Sequence, residues 1–112
     1  MTLMSSSADI LEEVADLYES GEIGWTQRRF RDFDFDNERA SYCLIGSMRH
    51  RLLDVQKSYD MEHEAALVYL RNYIERSGLG LSIDDWNDQF GRTLDEVVDL
   101  LKTVAKDLRN KE

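Results

Sequence analysis

The C-terminal third of the chain carries the most regular pattern in the sequence. Apolar residues recur at steps of three and four from Leu94 to Leu108, which places them on one face of an α-helix. Thr93 and Glu96 have the spacing of a capping box, in which each side chain bonds the backbone N–H of the other residue. Acidic residues early and basic residues late in this stretch complement the helix dipole. The pattern predicts a helix from about Leu94 to Arg109, against which the rest of the chain packs.

A short helix and a sharp corner are predicted just before this helix. Ser82 and Asp85 repeat the capping spacing and open a turn of helix that runs to about residue 88. The chain can then reverse at Gly91, which brings Asp88 within reach of Arg92. We interpret this corner as structural, with catalysis by the Asp88–Arg92 pair as the alternative, because caps and corner ion pairs are common. The corner comprises Trp86, Asn87, Asp88, Arg92 and Thr93.

The N-terminal region predicts an amphipathic helix whose outer face is acidic. Apolar residues recur with helical spacing from Ile10 to Tyr18, and acidic residues occupy the opposite face. Ser7 suits the N-cap position and Gly21 suits the end of the helix. Residues 1–6 are therefore expected to fray.

Two further helices are predicted in the middle of the chain. The second helix begins at a cap, either Asn37 or Ser41, and runs to about Val55. The third helix runs from Asp60 to residues 77–78 and is apolar on nearly all sides. An apolar surface of this extent predicts a central position in the fold.

These patterns together predict an all-α fold. We expect a compact four-helix bundle with one extra short helix and an irregular aromatic and acidic segment at about residues 21–38. A chain of 112 residues is long enough for one domain, residues 1–112, with a single core. The absence of proline favours helices joined by turns. A homodimer is the alternative to a monomer, since a second copy could cover the apolar third helix.

The irregular segment mixes aromatic residues with charges of both signs. Phe33 and Phe35 alternate with aspartates, as in a short extended segment. The aromatic residues could cover one end of the bundle, or the segment could bind a partner, because aromatic residues and arginine are enriched in interface cores. The candidate interaction residues are Trp25, Arg28, Arg29, Phe30, Phe33 and Phe35.

The same segment contains a partial cation-binding pattern. The aspartates at positions 32, 34 and 36 have the spacing of the first ligands of an EF-hand loop. However, Asn37 stands where that loop requires glycine, and Cys43 stands where it requires the closing glutamate. We therefore predict no metal site here, with a weak site for a divalent cation as the minor alternative.

No catalytic group is evident in the sequence. Cys43 and His50 share one face of the predicted second helix, but two helical turns separate them by about 10 Å, too far for a nucleophile–base pair. We interpret Cys43 as a small buried thiol. His63 lacks a second histidine four residues away, which excludes a zinc-binding helix, and we expect it at the surface. We predict no cofactor, no metal and no catalytic residue.

Three short motifs resemble those of a family of small uncharacterised bacterial and bacteriophage proteins. The motifs are Gly24-Trp25-Thr26-Gln27, Cys43-x-x-Gly46, and the run from Trp86-Asn87-Asp88 to Gly91-Arg92-Thr93. The resemblance covers roughly residues 8–106 and implies a helical fold, with no activity to transfer. This chain departs from the family pattern at residues 32–36, where relatives have a loop with glycine and proline.

Charge and composition limit the classes of function. The net charge of −9 disfavours direct binding to nucleic acid. No apolar run approaches the roughly 18 residues of a membrane-spanning helix, and no signal-peptide pattern opens the chain. A single cysteine suits a reducing compartment. We therefore expect a cytoplasmic protein that does not contact a membrane.

Three functional hypotheses follow from these observations. The first is a non-enzymatic interaction or regulatory protein, associated with a phage or mobile element, that binds another protein. The second is an acidic mimic of nucleic acid that inhibits a DNA-binding enzyme. The third is a small enzyme that uses Cys43 or the Asp88–Arg92 corner.

Overall fold

The computed structural model describes residues 3–29, 31–34, 39–55 and 61–111. Within these residues, five α-helices and three short strands follow one another along the chain. In order they are α1 (Leu3–Glu19), β1 (Gly24–Trp25), β2 (Arg31–Asp34), β3 (Arg39–Tyr42), α2 (Leu44–Val55), α3 (Met61–Ile74), α4 (Ile83–Asn87) and α5 (Leu94–Asn110). A π-helical turn, Glu75–Leu79, continues α3.

The prediction of an all-α fold is wrong, because the three strands form a mixed sheet. The strand order is β1-β3-β2, with β1 parallel and β2 antiparallel to the central β3. Gly24 lies opposite Ser41, and Phe33 lies opposite Ala40. The segment expected to be irregular and the expected first turn of the second helix therefore supply the sheet, and the fold is α+β.

Long-range contacts explain why residues 39–42 form a strand and not a helix. Their backbone groups pair with β1 and β2, and the phenol of Tyr18 in α1 lies 2.8 Å from the carbonyl oxygen of Tyr42 and 3.1 Å from that of Cys43. Burial raises the pKa of the Tyr18 phenol, so it stays protonated as a donor. A four-residue strand carries too little periodicity to compete with a nearby helical pattern.

The core is built around α1 and α5. Arg109 of α5 pairs with Asp9 and Glu12 near the start of α1, whereas Lys102 pairs with Glu19 at its end. The two helices are therefore antiparallel. Each fully buried aliphatic side chain between them contributes about 1.5–3 kcal/mol of hydrophobic stabilisation. The buried apolar residues of α1 and α5 are Ala8, Ile10, Leu11, Val14, Ala15, Tyr18, Val97, Val98, Leu100, Leu101, Val104, Ala105 and Leu108.

Several local expectations are corrected by this packing. Helix α1 begins at Leu3, and Ser7 is fully buried within it instead of capping it. Helix α3 contacts α1, α2, α4 and α5, in agreement with the central position expected for it, and α1 contacts α2, α3 and α5. Helix α3 buries one stripe at Ala66, Leu70 and Ile74, while its flanking apolar side chains are half-buried. The expected start of the third helix at residue 60 lies outside the described residues.

His63 is buried, contrary to the prediction of a surface position. Its Nε2 atom lies 2.7 Å from the carbonyl oxygen of Met48. The imidazole therefore joins α3 to α2 through a hydrogen bond that has no signal in the local sequence.

Candidate functional site

Asn87 is the centre of the polar network that joins the sheet to the C-terminal corner. Its Oδ1 atom accepts hydrogen bonds from the indole Nε1 of Trp25 at 2.8 Å and from the backbone N–H of Leu44 at 3.2 Å. Its Nδ2 atom donates to the Thr26 carbonyl oxygen at 3.1 Å and to Asp88 Oδ1 at 3.0 Å. Asn87 is fully buried, and these four bonds satisfy the hydrogen-bonding capacity that burial would otherwise leave costly.

The network explains why the three sequence motifs occur in one chain. The first motif supplies Trp25 and Thr26, the second supplies the start of α2 at Leu44, and the third supplies Asn87 itself. Gly24 opens the first motif because a Cβ atom there would lie 2.4 Å from Ser41 Oγ, too close for any side chain without a shift. Residues of the three motifs thus meet in one hydrogen-bond network. We call this network of Trp25, Thr26, Leu44 and Asn87 the joint.

Cys43 caps α2 within the same joint. Its carbonyl oxygen accepts the first helical bond from Ser47 at 2.8 Å, and its Sγ atom accepts from the Gly46 N–H at 3.4 Å. A side-chain acceptor at this position satisfies a free N–H group of the first helical turn. The interpretation of Cys43 as a buried thiol agrees with its 4% exposure, and capping is a role that the spacing alone did not suggest.

The turn after β1 lies directly against the corner. The Gln27 side-chain amide donates to the carbonyl oxygens of Asn87 and Gln89, both at 3.0 Å. The backbone N–H of Arg28 donates to Asp88 Oδ1 at 2.7 Å. Arg28 has a φ of 66°, a left-handed conformation that is uncommon for a residue with a side chain. The bond to Asp88 helps to hold the backbone in this conformation.

The predicted Asp88–Arg92 pair is absent from the hydrogen bonds and ion pairs of the described residues, because each partner is engaged elsewhere. Arg92 Nε donates to the Trp86 carbonyl oxygen at 3.1 Å, and its guanidinium carbon lies 3.7 Å from the centre of the Trp86 ring. Its remaining nitrogens bond Gln89 and Glu96. The predicted rigid corner is therefore built by a cation–π contact and backbone bonds in place of the expected ion pair.

The helix caps predicted at this corner are confirmed. Thr93 N–H donates to the Glu96 carboxylate at 3.0 Å, and Glu96 N–H donates to Thr93 Oγ1 at 3.3 Å. The hydrogen bonds that Thr93 donates to the Glu96 carboxylate lower the pKa of that group, and the charge of Arg92 adds to the effect. Ser82 accepts the Asp85 N–H at 3.1 Å at the start of α4.

A cleft of about 250 Å³ adjoins the joint, and it is lined by Arg28, Arg29, Cys43, Asp84 and Asp88. The two arginine side chains are exposed, whereas the two aspartates are half-buried and the thiol is buried. The cleft thus has a basic rim above an acidic floor. Four of its lining residues, Arg28, Arg29, Cys43 and Asp88, are candidates from the sequence.

The chemistry of the cleft does not activate the thiol. Burial raises the pKa of Cys43, and the charges of Asp84 and Asp88 raise it further. The neutral thiol is a much weaker nucleophile than the thiolate. Burial also raises the pKa of Asp84, with repulsion from Asp88 and Asp85 adding to this and Arg49 opposing it. The arrangement gives no support to the enzymatic hypothesis.

The candidate interaction residues divide into three groups. Trp25 is half-buried and packs against the core, in agreement with a role at one end of that core. Arg28, Arg29 and Phe33 are exposed. Phe30 and Phe35 lie outside the described residues, as do Asp36 and the side chain of Asp34 from the partial cation pattern. Among the residues that the structure describes, no three His, Cys, Asp or Glu side chains are grouped as metal ligands would be.

Sequence reasoning missed one exposed aromatic residue. Phe90 lies in the corner between α4 and α5 and is 100% exposed. It was overlooked because the corner was interpreted only by its caps and charges. The available signal was its position next to Gly91, in a turn between two predicted helices.

The acidic face of α1 is extensively paired within the chain. Glu13 bonds Arg51 at 2.9 Å, and Arg109 and Lys102 of α5 cover three more carboxylates of α1. A nucleic-acid mimic needs rows of carboxylates available to basic residues of another protein. The internal ion pairs reduce that availability and weaken the argument for mimicry.

Comparison with known proteins identifies the family of this chain but assigns it no function. In the described part of the chain, the helices are all too short or too polar to cross a bilayer. Neither a curated protein nor a solved structure matches the chain. A match to a protein family covers nearly the whole sequence and includes all three motifs that meet at Asn87. On this match, over residues 4–107, the chain belongs to a family of unknown function (DUF6197).

Proposed function

We propose that this chain is a non-enzymatic protein that binds another protein through one basic surface. The surface consists of Arg28, Arg29 and strand β2 with Arg31, and we name it the arginine face. The observation that carries the proposal is the exposure of these arginine side chains beside an edge strand. Exposed arginine next to aromatic side chains is typical of protein interfaces.

Charge distribution supports the arginine face as the binding surface. The chain has a net charge of −9, and six basic side chains outside this surface form salt bridges with carboxylates of the same chain. Arg28 and Arg31 form no such bridge to a described carboxylate, and Arg29 forms an exposed one with Asp32 at 3.6 Å. Exposed arginines without a described carboxylate of the same chain bound to their guanidinium groups, here Arg28 and Arg31, favour a partner with an acidic patch.

The edge strand adds a second mode of recognition. Strand β2 pairs with β3 on one side only, and it ends the sheet within the described residues. An edge strand offers backbone groups that an extended segment of a partner can pair with. Arg31, the one arginine of β2, would attract a carboxylate of such a segment to the start of the strand.

A comparison of matched charge variants tests this proposal. The test variant is Arg28→Glu/Arg31→Glu, and the control is Arg71→Glu/Lys106→Glu, which makes the same charge change at two exposed positions of α3 and α5. Tagged proteins are used to capture partners from lysates of the native host at about 50 and 300 mM salt. We expect the same partner with the wild type and the control, its loss with the test variant, and weaker capture at high salt.

Capture that is equal for the test and control variants would overturn the proposal, as would the absence of any specifically captured protein. Self-association that is lost only in the test variant would assign the surface to a homodimer instead.

The hypothesis of a phage or mobile-element association is a separate one, and the genes that neighbour the coding sequence test it. We expect the interaction to take place in the cytoplasm, because a single cysteine suits a reducing compartment.

A further inference from the structure

Phe90 is exposed to an extent that no other large apolar side chain in the described residues reaches. It is 100% exposed, compared with 68% for Met61 and 38% for Phe33. A phenylalanine ring that stays in water forgoes the hydrophobic stabilisation that burial would give it. Single exposed apolar residues are common on surfaces, so exposure alone does not assign a role to this one.

The backbone on both sides of Phe90 is held in place. The Gln89 carbonyl oxygen accepts from the Gln27 side chain at 3.0 Å and from the Arg92 N–H at 3.1 Å. Gly91 follows with a φ of 83°, a conformation that glycine adopts at little cost. The ring is therefore presented on a fixed turn, and binding through it would order little additional backbone.

The arginine face adjoins this turn. Gln27 and Arg28 bond the two residues that precede Phe90, namely Gln89 and Asp88. Arg28 thus places an exposed guanidinium on the chain segment packed against the Phe90 turn. The exposed Phe90 and Arg28 are residue types enriched in interface hot spots, in which a buried anchor is surrounded by polar contacts.

We propose that Phe90 is the apolar anchor of the interface and inserts into an apolar pocket of the partner protein whose rim carries carboxylates. The inference rests on the proposed function, since it extends the arginine face to the corner. The partner is thereby defined by its chemistry. Its pocket accepts one aromatic ring, and its acidic rim faces Arg28 and its neighbours.

Photo-crosslinking at the anchor tests the inference in the native host. p-Benzoylphenylalanine replaces Phe90 in one variant and Arg71, an exposed residue of α3, in the control. We expect position 90 to crosslink the protein that the wild type captures, at apolar residues flanked by Asp or Glu. Position 71 is expected to give no such product.

Affinity measurements with the captured partner provide a second test of the inference. We expect Phe90→Ala to weaken binding about 30-fold, as truncation of a hot-spot residue does, and Phe90→Tyr to retain most of the affinity. The control Met61→Ala removes another exposed apolar side chain and is expected to change affinity less than about threefold. The melting temperature of Phe90→Ala should stay within about 2 °C of the wild type, because the ring is in water.

The outcomes separate the two proposals. If a partner is lost with Arg28→Glu/Arg31→Glu but binds Phe90→Ala as tightly as the wild type, the anchor is refuted and the arginine face stands. If no partner is captured by the wild type, both proposals fall. If position 90 crosslinks only a second copy of the chain, the pocket belongs to a homodimer and the inference of a different partner protein is refuted.

Discussion

The indole Nε1 of Trp25 donates a hydrogen bond of 2.8 Å to Asn87 Oδ1, across 62 positions of sequence. The bond ties the sheet to the corner that precedes α5. Because Asn87 also accepts from the N–H of Leu44, one amide oxygen fixes the relative position of β1, α2 and α4. The stability of the joint should therefore depend on this side chain more than on any exposed residue of the corner.

Asn87→Ala is expected to lower the free energy of unfolding by about 3 kcal/mol, because it leaves the buried donors of Trp25 and Leu44 without an acceptor. Urea denaturation measures the change. Asn72→Ala, at an exposed position of α3, is the matched control and should change stability by less than about 0.5 kcal/mol. Equal effects of the two substitutions would show that the joint is not the main contributor to the free energy of unfolding.

Arg92→Lys should lower the free energy of unfolding by about 1–2 kcal/mol although it conserves the charge. Lysine cannot bond the Trp86 carbonyl oxygen, Gln89 and Glu96 at once, and it loses the planar contact over the indole ring. The control is Arg71→Lys, which changes an exposed side chain. A thermal melt of Arg92→Lys that coincides with that of the control would contradict this role.

Asp84→Asn tests the electrostatics of the cleft. The pKa of Asp84 is raised above its ordinary value of 3.8 by burial and by repulsion from Asp88 and Asp85. The folded state therefore holds the proton more tightly than the unfolded state, and Asp84 makes stability fall as pH rises from about 3.8 through the folded-state pKa. This fall is absent in Asp84→Asn.

The stability of Asp84→Asn relative to the wild type should consequently rise as pH increases from about 3.8 through the folded-state pKa of Asp84, measured by urea denaturation at each pH. Asp95→Asn removes an exposed charge from the first turn of α5, is not among the groups that shift the pKa of Asp84, and controls for the helix dipole. A pH dependence that is the same for both variants would refute the assignment to Asp84.

Cys43 should react slowly with thiol reagents in the folded protein. Its burial and its raised pKa both keep it as an inaccessible neutral thiol. We expect the native rate at neutral pH to be on the order of 100-fold below the rate in urea. Rapid native reaction would instead support the enzymatic hypothesis.

Cys43→Ser supplies the control for this measurement and a test of the cap. Serine can accept the Gly46 N–H as the thiol does. The free energy of unfolding of Cys43→Ser should therefore stay close to that of the wild type, whereas that of Cys43→Ala should fall by about 1 kcal/mol.

Prediction from sequence succeeded where both partners of an interaction lie within one or two helical turns. The Thr93–Glu96 box and the start of α4 at Ser82 were predicted because their spacing is itself the signal. At the corner, the expected Asp88–Arg92 pair is wrong, since Trp86 and Glu96 bind Arg92, and the Arg28 backbone N–H binds Asp88. Proximity along the chain did not reveal which partner each charge would take.

The sequence by itself determined α5, its cap, the amphipathic α1 and the presence of a corner, because helices are stabilised by contacts at fixed short spacings. Only the tertiary structure decided that residues 39–42 form a central strand, that His63 is buried against Met48, and that Asn87 joins three motifs. These features depend on hydrogen bonds between residues far apart in the chain. Such bonds become favourable only after the core of α1 and α5 has brought their partners together, so they leave no periodic pattern in the sequence.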